Sequence, residues 1–189
     1  MPKLFSEYTE QFFWDFKRMD NVNYNFEIVT LLYRFKKKNS NNPRFNKLLL
    51  ILLVSIVECV LYDFLVRIHD HRQDLIPNLS TTVIYYLQGI KETDELQKLI
   101  DRIRAQNLLR ASGKDSIYDD LEELRRARNR IHIQNKHQDL EKDEYNVFTE
   151  ARLNLAENVL ERVCETLCNV YPRGHKPPLP MSDFPRPWL

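Results

Sequence analysis

The stretch LLLILLVSIVECVLYDFLV, residues 48–66, decides the fold. Its length, about 20 apolar residues, is that of a helix that crosses a membrane. Glu58 lies at its centre and Asp63 follows, and a carboxylate at mid-bilayer costs about 3 kcal/mol on insertion scales. We therefore predict the central helix of a helical bundle, in which Glu58 pairs with a basic residue, and no membrane association.

The composition of the chain is typical of a soluble helical domain. Of its 189 residues 43% are hydrophobic and only 3 are glycine, which leaves little material for phosphate-binding loops. The formal net charge of +1 excludes a strongly basic nucleic-acid coat, so a polyanion has to bind a local patch. Three cysteines and a start without a secretory leader predict a reducing, cytoplasmic location.

Apolar residues recur at helical spacing along the chain, and no stretch alternates as a strand does. We predict an all-α, up-and-down helical bundle in one domain, residues 1–171, in which N-terminal helices within 1–40 pack on a core of 44–171. The predicted helices are residues 4–19, 26–37, 44–70, 92–110, 116–135 and 143–171, with a short helix or turn at 81–88.

The C-terminal segment, residues 172–189, holds six of the 9 prolines and cannot be helical. We interpret it as an extended tail, with Phe184 and Trp188 packed on the bundle, or as a proline-rich docking ligand.

The segment LEELRRARNRIHIQN, residues 121–135, carries the residues that point to a function. On a helical projection Arg128 falls in the middle of the apolar stripe, and His132 lies one turn further on the same side. An unpaired charge there is costly, so we expect a buried ion pair between Arg128 and Glu58. Arginine offers a fixed fork of donors for a phosphate, and histidine can transfer a proton near neutral pH. Arg128 and His132 are therefore the candidate catalytic residues.

The other polar residues of this segment are candidates for binding substrate phosphates. Arg125 and Asn129 lie at the edge of the apolar stripe, where they can orient a phosphate. Arg126 and Arg130 point away from the core, so we expect them on the solvent face, where Glu122 and Glu123 can pair with them at helix spacing.

The motif LRRARNRIHI, preceded by the apolar helix LLLILLVSIVECVLYDFL with its internal acidic residue, resembles the HEPN superfamily of small helical bundles over roughly residues 44–171. The family pattern is an arginine, commonly followed by a polar residue such as asparagine, and a histidine after four to six further residues. Asn129 follows Arg128 as in the pattern, but only three residues separate Arg128 from His132. Arg125 and Arg126 have the family's spacing to His132 without the polar residue after them.

The resemblance implies a metal-independent endoribonuclease without a cofactor, in a defence, toxin or RNA-processing system. It also implies a homodimer in which two motifs face each other across the interface. In RNA the 2′-hydroxyl is the nucleophile, so His132 is expected to transfer protons and Arg128 to stabilise the charge on the phosphorane. A single histidine in each chain is poorly suited to act as both general acid and general base. A two-fold axis beside the helix supplies a second histidine from the partner chain.

Two other functions stay open at this stage. The chain can be a catalytically inactive HEPN-like module that binds RNA, a nucleotide or a protein partner, or a helical interaction protein without a nucleic-acid role. The segment RFKKKNSNNPRFNK, residues 34–47, interleaves basic residues with Phe35 and Phe45, and it is either an RNA-tracking loop or a solvated helix C-terminus. His69 and His71 point to opposite sides of a helix, so no metal site is expected.

Overall fold

The structure is a computed structural model that describes residues 15–70, 76, 78–87, 95–110, 116–131, 143–172 and 187–188. Within these residues the chain is helical and contains no strand, as the all-α prediction requires. The helices are α1 (Phe16–Lys38), α2 (Phe45–Asp70), α3 (Thr81–Tyr86), α4 (Leu96–Ala105), α5 (Ile117–Asn129), α6 (Glu144–Val147) and α7 (Glu150–Val170).

The apolar helix α2 is the centre of the bundle, because α1, α4, α5 and α7 all pack against it. Leu53, Val60 and Phe64 on this helix are fully buried. Helices on several sides explain why its sequence is an almost continuous apolar run rather than a one-sided stripe. By length and composition α2 is also the one helix among the described residues that could cross a membrane, and 61% of its most apolar window is buried inside the bundle.

Two buried charges of α2 fix the ends of its neighbours. Asp63 accepts a hydrogen bond from Arg18 Nε at 2.9 Å, which holds the start of α1 beside the end of α2. Arg67 donates from Nη1 and Nη2 to the carbonyl oxygens of Tyr171 and Pro172, at 2.9 Å and 3.0 Å. α1 therefore runs antiparallel to α2, and α7 runs parallel to it.

Helix α1 is continuous where two helices were predicted, with a break after residue 19. Val22 and Phe26 are buried and extend the stripe of Met19 through the asparagine-rich stretch. Burial of these side chains outweighs the low helix propensity of the three asparagines between residues 21 and 25. Most of the first predicted helix lies outside the described residues.

The predicted helix over residues 143–171 is divided into α6 and α7. Thr149 stands between them in an extended conformation, and its hydroxyl accepts a hydrogen bond from the backbone N–H of Arg152 at 3.3 Å. Threonine is a preferred N-cap because it satisfies a donor of the first turn. The new helix therefore starts at Glu150.

Two other helices end earlier than predicted. α4 stops at Ala105, where Asn107 adopts a left-handed conformation (φ 49°) and Leu108 N–H bonds back to the Ile103 carbonyl at 3.1 Å. α5 stops at Asn129, short of the predicted end at residue 135; residues 132–142 lie outside the described residues.

Near the C-terminus Trp188 packs on the bundle, which agrees with the first of the two interpretations of the tail. Its ring lies 6.0 Å from that of Tyr33 on α1, and its Nε1 donates to Glu161 Oε1 on α7 at 2.8 Å. Phe184 lies outside the described residues.

Candidate functional site

The predicted ion pair between α5 and α2 is present. Arg128 Nη2 donates to Glu58 Oε2 at 2.8 Å, and this contact joins the C-terminal end of α5 to the middle of α2. The remaining N–H groups of the Arg128 guanidinium make no hydrogen bond within the described part of the chain. They are therefore available to a phosphate oxygen.

The pair is half-buried, whereas a buried pair was predicted. The Arg128 side chain is 32% exposed and that of Glu58 is 23% exposed. The helical projection placed Arg128 in the middle of the stripe, but the neighbouring small residue Ala127 is the one that is buried. Arg128 consequently lies on the flank of the helix contact, at the protein surface.

The arginines Arg125 and Arg126 share one carboxylate, that of Glu122. Arg125 makes a two-pronged contact with it, with Nε and Nη2 at 3.0 Å and 2.7 Å from the two oxygens. Arg126 Nε lies 3.2 Å from Oε1, and its side chain is 62% exposed, on the solvent face where it was predicted. The hydrogen bond from Arg125 lowers the pKa of Glu122 below its ordinary value. The cluster keeps one net positive charge beside Arg128.

Arg130 was predicted on the solvent face, and this prediction is wrong. Its side chain is 6% exposed, because it is the C-cap residue that follows the last residue of α5 and no longer obeys the helical projection. For the same reason the apolar residue Ile131, next in the chain, is exposed. Arg130 is therefore poorly placed to bind a substrate phosphate, while Asn129 is half-buried at the end of the helix.

His132, the candidate proton-transfer residue, lies outside the described residues. It follows Ile131 in the chain, directly after the turn that ends α5. Its placement relative to Arg128 accordingly stays a prediction.

Two ion pairs that the sequence reasoning missed hold α5 against α7. Glu123 was expected to pair along its own helix, but it accepts from Arg152 Nε at 2.9 Å. Asp120 accepts from Arg162 Nη1 at 2.8 Å, and both side chains are largely buried. These contacts fix the rotation of α5 about its own axis and thereby the direction in which the Arg128 side chain points.

The basic segment 34–47 forms the end of α1, a turn and the start of α2. Its cations divide into two classes. Lys36 and Lys47 are neutralised by Glu150 and Glu144, at 2.7 Å and 2.8 Å. The others are exposed and make no ion pair with the described residues, namely Arg34, Lys37, Lys38 and Arg44.

A pocket of about 470 Å³ lies beside this segment, between the start of α2 and the α6–α7 junction. Among the described residues, no group of three or more His, Cys, Asp or Glu side chains is arranged to hold a metal ion.

The chain matches no protein-family model, no curated protein and no solved structure. Its function is accordingly inferred from its own residues.

Proposed function

We propose that the protein is a HEPN-like, metal-independent endoribonuclease that cleaves RNA by attack of the 2′-hydroxyl, in a defence, toxin or RNA-processing system. The observation that carries the proposal is the state of Arg128. One of its nitrogens is held by Glu58, about a third of its side chain is exposed, and its other donors make no hydrogen bond to any residue that the structure describes. An arginine that one hydrogen bond holds in place, and that has further N–H donors to offer, is suited to bind a phosphate.

The reaction assigns a role to each residue of the motif. The 2′-oxygen attacks the adjacent phosphorus, its proton passes to a base, and the bond from phosphorus to the 5′-oxygen breaks as that oxygen gains a proton. Arg128 stabilises the charge on the phosphorane, while Arg125, Arg126 and Asn129 orient the phosphate. His132 transfers the protons. The products are a 2′,3′-cyclic phosphate and a 5′-hydroxyl.

The proposed enzyme is a homodimer with its cleft at a two-fold axis beside α5. A symmetric dimer brings a second motif to the first, so that one His132 acts as base and its symmetry mate as acid. Glu58 keeps Arg128 directed toward the surface where the partner chain docks.

The product chemistry tests this proposal. A mixed-sequence single-stranded RNA is incubated with the protein in EDTA, and an all-deoxy strand of the same sequence serves as control. We expect 2′,3′-cyclic phosphate ends from the RNA and no cleavage of the deoxy strand, which lacks the nucleophile. Cleavage of both strands, or loss of activity in EDTA, contradicts the mechanism. RNA binding without cleavage supports the inactive HEPN-like module instead.

A further inference from the structure

The pocket beside the basic segment has the dimensions of a ligand site. Its volume of about 470 Å³ lies within the range of roughly 300 to 1,000 Å³ that is usual for small-molecule pockets. Two parts of the chain about 100 residues apart form it, the start of α2 and the α6–α7 junction. It is distinct from the Arg128 site, because Glu58 lies more than three helical turns along α2 from its start at Phe45.

One of the residues that line this pocket carries a buried hydrogen-bond acceptor. Asn46, which lines it, is 1% exposed, and its Nδ2 donates to the Phe148 carbonyl oxygen at 3.3 Å. Its Oδ1 is buried and has no hydrogen-bond partner among the described residues. A buried acceptor of this kind destabilises the fold unless a donor reaches it. A ligand with an N–H group supplies such a donor.

Aromatic side chains and a cation surround the same pocket. Tyr145 is 77% exposed although it is aromatic, and Phe148 forms part of the wall with its ring under the Lys47 ammonium, 5.3 Å away. Arg44 is exposed on the rim without a carboxylate partner among the described residues. An unpaired arginine at the N-terminal end of a long helix favours a phosphate.

The two carboxylates that line the pocket do not oppose an anion strongly. Glu144 is paired with Lys47, and Glu150 is paired with Lys36. Because both carboxylates are neutralised, the charge of Arg44 gives the rim one net positive charge. The exposed cations of residues 34–38 continue this charge away from the pocket along the end of α1.

We propose that this pocket binds a nucleobase linked to a phosphate, with the base against Tyr145 and Phe148, an N–H group of the base on Asn46 Oδ1, and the phosphate on Arg44. All four nucleobases carry an N–H donor and a stacking face, so the pocket takes nucleotides as a class. A nucleobase linked to a phosphate occurs in two kinds of ligand. One is a free mononucleotide, and the other is one unit of a single-stranded RNA whose neighbouring phosphates follow the basic segment. The proposal uses neither Arg128 nor His132, so it is independent of the proposed cleavage.

The test is binding of a fluorescent 2′-O-methyl RNA of about eight nucleotides, which cannot be cleaved by its own 2′-oxygen. Binding is followed by fluorescence anisotropy between roughly 50 and 200 mM salt. Adenosine monophosphate is titrated in a separate arm, by thermal shift. The variants are Tyr145→Ala, Arg44→Ala and Asn46→Ala. Tyr85→Ala and Arg110→Ala are matched controls, because both residues are exposed and belong to other parts of the chain (76% exposed for Tyr85).

Tyr145→Ala is expected to weaken binding about fivefold or more, since a base loses its stacking partner. Arg44→Ala is expected to lower the salt dependence of log K by about 0.7, the loss of one phosphate contact in a single strand. Binding of the oligonucleotide alone identifies RNA as the ligand, and equally strong binding of the monophosphate identifies a free nucleotide. The proposal is overturned if neither ligand binds. It is also overturned if Tyr145→Ala binds the oligonucleotide and the monophosphate as tightly as Tyr85→Ala does. The comparison of these two variants holds even if Asn46→Ala does not fold.

Discussion

At the scale of single residues, the half-buried pair of Arg128 and Glu58 serves both stability and the proposed chemistry. Removing Arg128 leaves a carboxylate that is 23% exposed without its partner. Exposed pairs contribute about 0.2 to 1 kcal/mol, and breaking a buried pair costs about 3 to 5 kcal/mol. The environment of this pair lies between these two cases.

We predict that Arg128→Ala lowers the free energy of unfolding by about 1 to 2 kcal/mol. Arg126→Ala, on the exposed face of the same helix, should lower it by less than about 0.5 kcal/mol. Urea denaturation measures both values. In the double variant with Glu58→Gln, the cost of Arg128→Ala should shrink, because the carboxylate that lost its partner is gone. Equal losses for Arg126 and Arg128 contradict the structural role of the pair.

A second residue-scale prediction concerns Glu157, which accepts a hydrogen bond from the Tyr33 hydroxyl. Burial raises the pKa of Glu157 above its ordinary value of 4.5. The protonated form of Glu157 is therefore favoured in the folded state. The stability that Glu157 contributes is present below pH 4.5 and is lost as the pH rises through the folded-state pKa. Glu157→Gln stays neutral and removes this loss. Its Tm should match that of the wild type near pH 4 and exceed it near pH 7.

Glu122→Gln is the control of opposite sign. The pKa of Glu122 is lowered, chiefly by the hydrogen bond from Arg125, so its stability is present above pH 4.5 and is lost as the pH falls through the folded-state pKa. The variant should be less stable than the wild type near pH 7, with the difference closing below pH 4.5. A Tm difference for Glu157→Gln that is largest in acid contradicts the assignment.

At the scale of helices, the boundary between α6 and α7 depends on one side chain, that of Thr149. Thr149→Ala removes the acceptor for the Arg152 N–H, and we expect a loss of about 1 kcal/mol in the free energy of unfolding. Thr149→Asp retains an acceptor at the N-cap and should lose little, because a carboxylate is also favoured at a helix N-terminus. Chemical denaturation compares the two variants. If both lose the same amount, the cap does not fix the start of α7.

The sequence predicted most helices and many of their ends to within two residues, but not the ends of α4 and α5, the continuity of α1 or the break between α6 and α7. The apolar run of α2 and the apolar periodicity of α7 reflect burial and are visible in any window of the sequence. The end of α5 depends on one local turn, and that turn moved Arg130 from the expected solvent face into the interior. Helix α1 is continuous because Val22 and Phe26 are buried. The low helix propensity of the asparagines around them indicated a break instead.

At the scale of the whole molecule, the contact between α5 and α2 was predictable but the pocket was not. Glu58 lies in an apolar run and Arg128 was predicted on the apolar stripe of its helix, and opposite charges so placed tend to pair. The pocket joins Asn46 to Phe148, which are separated by 102 positions. Neither residue is unusual in its own segment, so only the packing of α2 beside α7 brings them together.

The central claim, that Arg128 and His132 carry out RNA cleavage, is tested most directly by the rate of single-stranded RNA cleavage in EDTA. The proteins to compare are the wild type, His132→Ala, Arg128→Ala and the control His69→Ala, which removes a histidine at the C-terminal end of α2. We expect His132→Ala and Arg128→Ala to lower the rate at least about 100-fold, as general acid–base and charge-stabilising groups do, and His69→Ala to cleave like the wild type. Cleavage by folded His132→Ala at the wild-type rate contradicts the account.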